Sequence, residues 1–371
     1  MLVSWKVDNL GKFAIIKDGT HQTPTYVKYG IPFYSVENVT NDEFDNTKYI
    51  SELEHQRLTA KYKIEKNDIL MTRIGTIGKF KLVNWDVNAS FYVSLALIKC
   101  SCKIDPKFLC YLSETRRFKE SVYLNSLQYA IPMKINLNKI SDIELYYPDD
   151  IKYQKKLSSM ANNIDILLEN LEKEKTKKEK MKSRVIYDLF NNCKIVDSKK
   201  VSTICTIKTG KLDANKASKY GDYRFYTCAK NYSLINEYAF EGPALLISGN
   251  GEYVGYIHYY DGKFNAYQRT YVLQNFDKYN IKYIKNYLDL YLKQRINMEK
   301  KDGNTPYIVY GTLADFVINF PEEAEQQKIC KIINDFDKDI EHINEKIEKY
   351  RKIRGSMIEE LFSGKKVIEC E

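Results

Sequence analysis

Apolar positions along the chain fall into two alternating regimes. From Leu157 the residues Met160, Ile164, Leu167 and Leu171 recur at steps of three and four, and the register resumes at Met181. That spacing predicts a long helix with a narrow apolar seam of the coiled-coil kind. The same plan returns near the end in Ile333, Phe336, Ile340, Ile343, Ile347, Tyr350 and Met357, interrupted only by Arg354. Pro321 suits a first helical position, the acidic Glu322, Glu323 and Glu325 suit a helix start, and Gly364 suits its end. Each helix should run for about 40 residues, roughly 60 Å, and neither can bury so thin a seam alone.

The two intervening stretches read differently: short strand-like runs broken by turns, with helical pieces in "PKFLCYLSETRRFKESV" and "IKNYLDLYLKQRIN". Landmarks recur at a spacing of roughly 172 residues, with Gln154 and Phe190 in one copy and Gln327 and Phe362 in the other. "YGIPFYSVENV" resembles "YGDYRFYTCAKN", and "NDILMTRIGTIGKFKLV" occupies the place of "GPALLISGNGEYVGYIHYY". The expected architecture is α/β (α+β) and internally duplicated: globular 1–147, helical spacer 148–192, globular 193–320, helical spacer 321–371. The helices are expected to return antiparallel beside each other, so that the chain's ends meet and two heads stand apart on a rod.

The glycine turns raise the question of chemistry. In "LLISGNGEYVGYIHYY" a strand runs into Gly249, Asn250 and Gly251 as it would into a phosphate cradle, yet strand patterning resumes where a nucleotide-binding fold needs a helix. No Gly-Lys pair is followed by Ser or Thr, so a Walker loop is excluded. Glycines between strands instead permit a sharp turn with exposed amides. Ser248, Gly249, Asn250, Gly251 and Tyr253, with Lys230 and Asn231 nearby, make one candidate nucleic-acid loop. Thr72, Arg73, Gly75, Thr76, Gly78 and Lys79 make its counterpart. Gln268 and Arg269 are candidates for reading base edges, since Gln pairs bidentately with adenine and Arg with guanine. Arg73 has a competing role as an ion-pair residue at the edge of the core.

Composition adjusts this picture in places. A 44% apolar share over 371 residues supports real cores, and a formal net charge of +9 permits an anionic partner without demanding one. The 31 tyrosines suit wet recognition surfaces. Eight cysteines show no zinc spacing, so no metal is expected, and the four histidines have no evident catalytic partner. No Pro-Pro pair offers the motif by which amino-methyltransferases hold a flipped base, and Pro148-Asp149 is too cramped for a nuclease centre. No apolar run reaches the length of a membrane span, and a soluble cytoplasmic protein is expected.

These features together resemble the specificity subunit of type I restriction-modification systems. The matches are "WKVDNLGKFAIIKDGTHQTP", "NDILMTRIGTIGKFKLV", "ICTIKTGKLDANKA", "FYTCAKNYSLINEYAFEGPALLISGNG", "GKFNAYQRTYVL" and the two "P…Q…LF" helices. The resemblance implies a non-catalytic subunit with two target recognition domains, each reading one half of an asymmetric bipartite site in double-stranded DNA. It implies two methyltransferase subunits docked on the helices and restriction subunits for cleavage. S-adenosylmethionine, ATP and Mg would belong to those partners, with no cofactor in this chain. A stand-alone restriction-methylation enzyme and a coiled-coil scaffold for protein binding are the competing readings.

Overall fold

The computed structural model describes residues 4–299 and 306–368. Its residues divide into two compact units, 1–172 with 345–371, and 173–344, and the division falls inside both long helices. Each unit therefore owns one globular head and one half of each helix.

The first head is built on a four-stranded antiparallel sheet in the order Ala14–Asp18, Leu95–Cys100, Ile69–Thr72, Phe80–Leu82. Strand periodicity explains its composition. Ile69, Met71, Ala96 and Ile98 point into one core, packed under helices Pro106–Leu112 and Arg116–Leu124, while Leu70, Leu95 and Leu97 point into another. A sheet covered on both faces needs unbroken apolar runs, and Ile69–Thr72 is buried at every position. The second core is closed by a smaller sheet in the order Tyr26–Val27, Lys48–Ile50, Ile31–Tyr34, Ser90–Phe91, whose last pair is parallel.

The second head repeats this plan. Its main sheet runs Thr206–Thr209, Thr270–Gln274, Ala244–Ser248, Ile257–Tyr260. Leu245, Ile247 and Leu273 face the core beneath helix Ile281–Glu299, and Ala244, Leu246 and Val272 face the other. The smaller sheet keeps the central pattern Ser233–Ile235, Tyr223–Tyr226, Lys263–Ala266, again with a parallel pair, but gains Phe240–Glu241 at the edge opposite to the extra strand of the first head. The duplication extends to single atoms. A Cβ on Gly30 would meet the Ile50 carbonyl oxygen at 2.2 Å, and one on Gly221 would meet the Ile235 backbone at 2.6 Å.

The long helices are Ile151–Asn192 and Glu323–Leu361. Each follows a strand ending in proline: Trp5–Asn9 pairs with Glu144–Pro148, and Ile195–Lys200 with Val317–Pro321. Pro321 is thus not the first helical residue expected for it, because its backbone completes the strand opposite Ile195. It still organises the helix start, since its carbonyl accepts from Gln326 Nε2 at 2.9 Å, as the Pro148 carbonyl accepts from Gln154 at 2.8 Å. The expected landmark Gln327 is displaced by one residue from the glutamine that makes this bond.

The helices pair antiparallel in both units. Arg351 bonds Glu172 and Arg354 bonds Asp165 in the first unit, while Lys182 reaches Asp337 and Lys178 reaches Asp339 in the second. Leu171, Ile343 and Ile347 are buried along the seam, and Phe336, Ile340, Tyr350, Ile164 and Leu167 are half-buried. Two expectations need correction. Leu157, Met160 and Met357 pack into the first head, and Ile333 into the second, so the helix ends seat on globular cores and do not prolong the seam. Met181 is 47% exposed, because the half-buried Lys178 and Lys182 occupy the inward face there to reach their aspartates. Phe190 and Phe362, which end the helices, are buried in the second and first head respectively, and Phe362 stacks on Phe108 at 5.3 Å.

Candidate nucleic-acid interface

Both glycine turns are hairpin loops between the third and fourth strands of their main sheets, Ile69–Thr72 to Phe80–Leu82 and Ala244–Ser248 to Ile257–Tyr260. Two residues in each adopt the left-handed conformation that favours glycine: Gly75 and Gly78 at φ +79°, Gly251 and Gly255 at φ +82°. The closing bonds match, Gly78 N–H to the Thr72 carbonyl and Gly255 N–H to the Ser248 carbonyl, both 2.8 Å.

Around each hairpin the same backbone frame is assembled. Arg73 N–H donates to the Ser94 carbonyl at 3.0 Å, and Gly249 N–H to the Arg269 carbonyl at 2.9 Å. Ile135 N–H donates to the Arg73 carbonyl, and Ile308 N–H to the Gly249 carbonyl. Each neighbouring turn is pinned to the smaller sheet, by Tyr92 N–H to the Tyr34 carbonyl and Tyr267 N–H to the Tyr226 carbonyl, both 2.9 Å. Hydrogen bonds thus place Val93 and Ser94 of one head where the other holds Gln268 and Arg269.

On this shared frame the side chains differ. Gln268 and Arg269 are exposed, whereas Ser94 is buried with its Oγ accepting from Val36 N–H, and Val93 is half-buried. Arg73 stands where the second head has Gly249, at which a Cβ would lie 2.3 Å from the Arg269 carbonyl oxygen. Its guanidinium is buried, paired with Asp18 and bonded to the Ile135 carbonyl. Thr72 is also buried, with its Oγ1 accepting from Lys79 N–H at 2.9 Å. Both residues brace the hairpin, so a contact role for Arg73 gives way to its ion-pair role. Gly75, Thr76 and Lys79 are exposed at the loop, with Lys79 Nζ donating to the Thr40 carbonyl.

The second head gathers its candidates closely. Lys230 lies over the Tyr253 ring at 5.3 Å, and Cys228 Sγ reaches the Arg269 carbonyl at 3.4 Å. His258 Nε2 bonds the Ala229 carbonyl at 2.9 Å, and burial holds this imidazole below its ordinary pKa. The loops 227–231, 249–256 and 267–269 therefore form one surface. Asn231 is exposed on it, Asn250 bridges to Tyr307, and Ser248 and Gly249 lie buried beneath. Sequence reasoning missed the turn Tyr92–Ser94 and the segment around Lys134 that bridges to Ile74. Aligning "FYVSLALI" with "AYQRTYVL" was the available signal.

Among the described residues no group of three or more His, Cys, Asp or Glu side chains is arranged to hold a metal ion. Burial pushes the Cys100 thiol up to about 12 and the Cys110 thiol well above its ordinary value, which keeps both protonated. No helix among the described residues is long and apolar enough to cross a membrane.

Two globular repeats sharing a pair of long helices, with glycine hairpins on equivalent frames, define a duplicated two-headed protein. The chain belongs to the type I restriction modification DNA specificity domain family, whose model matches residues 3–180 and 195–349. It is 37% identical over 152 residues to the type I restriction enzyme EcoDI specificity subunit of Escherichia coli. It is 28% identical over 198 residues to the putative type I restriction enzyme MjaX specificity subunit of Methanocaldococcus jannaschii. These matches take in 40% and 50% of this chain and only 32% and 45% of the relatives' own lengths. The fold is similar to the type I restriction-modification S subunit from M. genitalium, with a TM-score of 0.63 at 15% identity and 96% of each chain covered. A second structure, from work on complex assembly and conformational transition of the type I R-M system, gives 0.64 at 12% identity, covering 98% of this chain and 99% of that one.

Proposed function

We propose that the chain is the non-catalytic DNA-specificity subunit of a type I restriction-modification complex, each head reading one half of an asymmetric bipartite duplex target. The observation that carries this reading is the pair of matched backbone frames bearing unmatched side chains: Val93 and Ser94 in one head, Gln268 and Arg269 in the other. A constant frame holds each head at equal depth on the duplex, and the substituted positions give each half its own sequence. Gln268 and Arg269 contact base edges, and the polar groups at Thr76, Lys79, Lys230 and Asn231, with the close backbone approach that Gly75 and Gly251 allow, contact phosphates. The paired helices set the gap between half-sites and dock two methyltransferase subunits. Restriction subunits join for cleavage, and the partners bring S-adenosylmethionine, ATP and Mg to a cytoplasmic assembly.

The test is a genome-wide map of adenine methylation in cells carrying the methyltransferase subunit with either the native chain or Gln268→Ala plus Arg269→Ala. The expected map has a bipartite motif, and the double variant relaxes one half alone, each lost bidentate contact weakening discrimination by about 1–3 kcal/mol. A variant map in which both halves change, or neither, rejects the assignment. Binding of the complex to its target should also fall steeply with salt, because phosphate contacts release counterions and contacts to a protein partner do not.

A further inference from the structure

The first head carries an exposed apolar feature that its recognition turn does not account for. Between helix Arg116–Leu124 and Ile135 the chain makes a loop closed by Leu127 N–H to the Lys134 carbonyl at 2.8 Å. At its tip Tyr129 is 97% and Ile131 100% exposed. Large apolar side chains held out in water cost free energy, and these two are held out on a braced support. Gly75 N–H donates to the Met133 carbonyl, and Ile135 N–H to the Arg73 carbonyl, so the returning side of the loop is stitched to the glycine hairpin on either side of Lys134. Exposed Thr76, Lys79 and Lys134 surround it. The second head repeats the placement: Asn250 bridges to Tyr307 as Ile74 bridges to Lys134, and Tyr307 is 60% exposed.

Resting on the specificity reading above, we propose that Tyr129 and Ile131 form an apolar wedge by which the first head reads its half-site, entering between stacked base pairs. The chemistry follows from what that head lacks. Its recognition turn offers Val93 and a buried Ser94, neither of which reaches a base edge as Gln268 and Arg269 do. In this proposal discrimination at that turn comes from contacts with base faces and from the ease with which a step unstacks. Pyrimidine–purine steps unstack most readily, and apolar wedges at such steps kink the duplex. The flanking lysines neutralise phosphates on either side of the opened step. The first half-site therefore contains a TA or CA/TG step at the wedge, and the second half is read by hydrogen bonding.

The test uses the full chain assembled with its methyltransferase subunit and a pool of random duplexes, comparing the native protein with Tyr129→Ser plus Ile131→Ser and with Tyr129→Phe plus Ile131→Leu. Both positions are solvent-exposed, and thermal unfolding checks that the variants fold alike. The native complex should select a pyrimidine–purine step in one half, and 2-aminopurine placed at that step should brighten on binding. The serine pair should bind the selected duplex at least about tenfold more weakly and lose preference in that half alone, while the Phe/Leu pair retains both. Unchanged affinity and unchanged selection in the serine pair overturn the wedge and leave the specificity reading standing. A native complex that selects no sequence overturns both. Weakened capture of the methyltransferase subunit with DNA selection intact overturns the wedge in favour of a protein contact.

Discussion

At the scale of single residues, the surface proposed for recognition on the second head is held by a histidine. His258 ties the strand Ile257–Tyr260 to the Ala229 carbonyl, immediately before Lys230, and Tyr256 packs on its ring at 4.8 Å. Burial depresses its pKa from the ordinary 6.5. The unfolded chain thus takes up a proton near pH 6.5, whereas the folded one does so only at lower pH, and stability present above 6.5 is lost as pH falls towards the folded value. Denaturation of the native chain and of His258→Gln, which keeps a donor for Ala229, should diverge between pH 7.5 and 5, with the native chain losing more. Parallel profiles over that range would remove His258 from the account. The same scale shows how residue type alone misleads. Arg73 and Arg269 are both basic residues expected near a nucleic-acid surface, yet one is buried against Asp18 and the other is exposed. Only the neighbour in space, Gly249 against Ser94, distinguishes them.

At the scale of elements, periodicity made the helices legible and left their partners hidden. Heptad spacing fixed both long helices and their mutual burial at Leu171, Ile343 and Ile347, because a thin seam has few ways to leave water. It did not reveal that Leu157, Ile333 and Met357 serve globular cores, since an apolar residue at seam spacing looks the same whichever surface covers it. The sheets were legible as runs and not as order: unbroken stretches such as "ALLIS" mark two-sided burial, but the parallel pairing of Ile31–Tyr34 with Ser90–Phe91 joins residues too far apart for pattern to register. The break at Arg354 proves to be a junction. Its guanidinium grips Glu114 at 2.6 and 2.8 Å and Asp165 across the helix pair, while Tyr111 Oη donates to Asp165 at 2.7 Å. Arg354→Met leaves two carboxylates facing each other and should destabilise the first unit by about 2 kcal/mol. Adding Glu114→Gln should restore part of that loss. Denaturant unfolding of the four proteins in the Arg354 and Glu114 cycle measures the coupling, and additive effects would mean that this pair is uncoupled.

At the scale of the whole molecule, the governing feature is that each long helix belongs half to one unit and half to the other. If the helix pair is the ruler, its length and not the heads should set the gap between half-sites. Removing one heptad from both helices, where they pass from one unit to the other, shortens each by about 10.5 Å while rotating its apolar face by only about 20°. The seam can then close in its old register, and the head-packing ends around Leu157, Phe190, Ile333 and Phe362 are untouched. Methylation mapping with the shortened chain should return both half-site sequences unchanged and a smaller gap, by at most about three base pairs at 3.4 Å each. Removing the heptad from one helix alone puts the two seams out of length and should cost stability before it changes spacing. A doubly shortened chain that folds, methylates and keeps the original gap would show that the heads choose their spacing by another route.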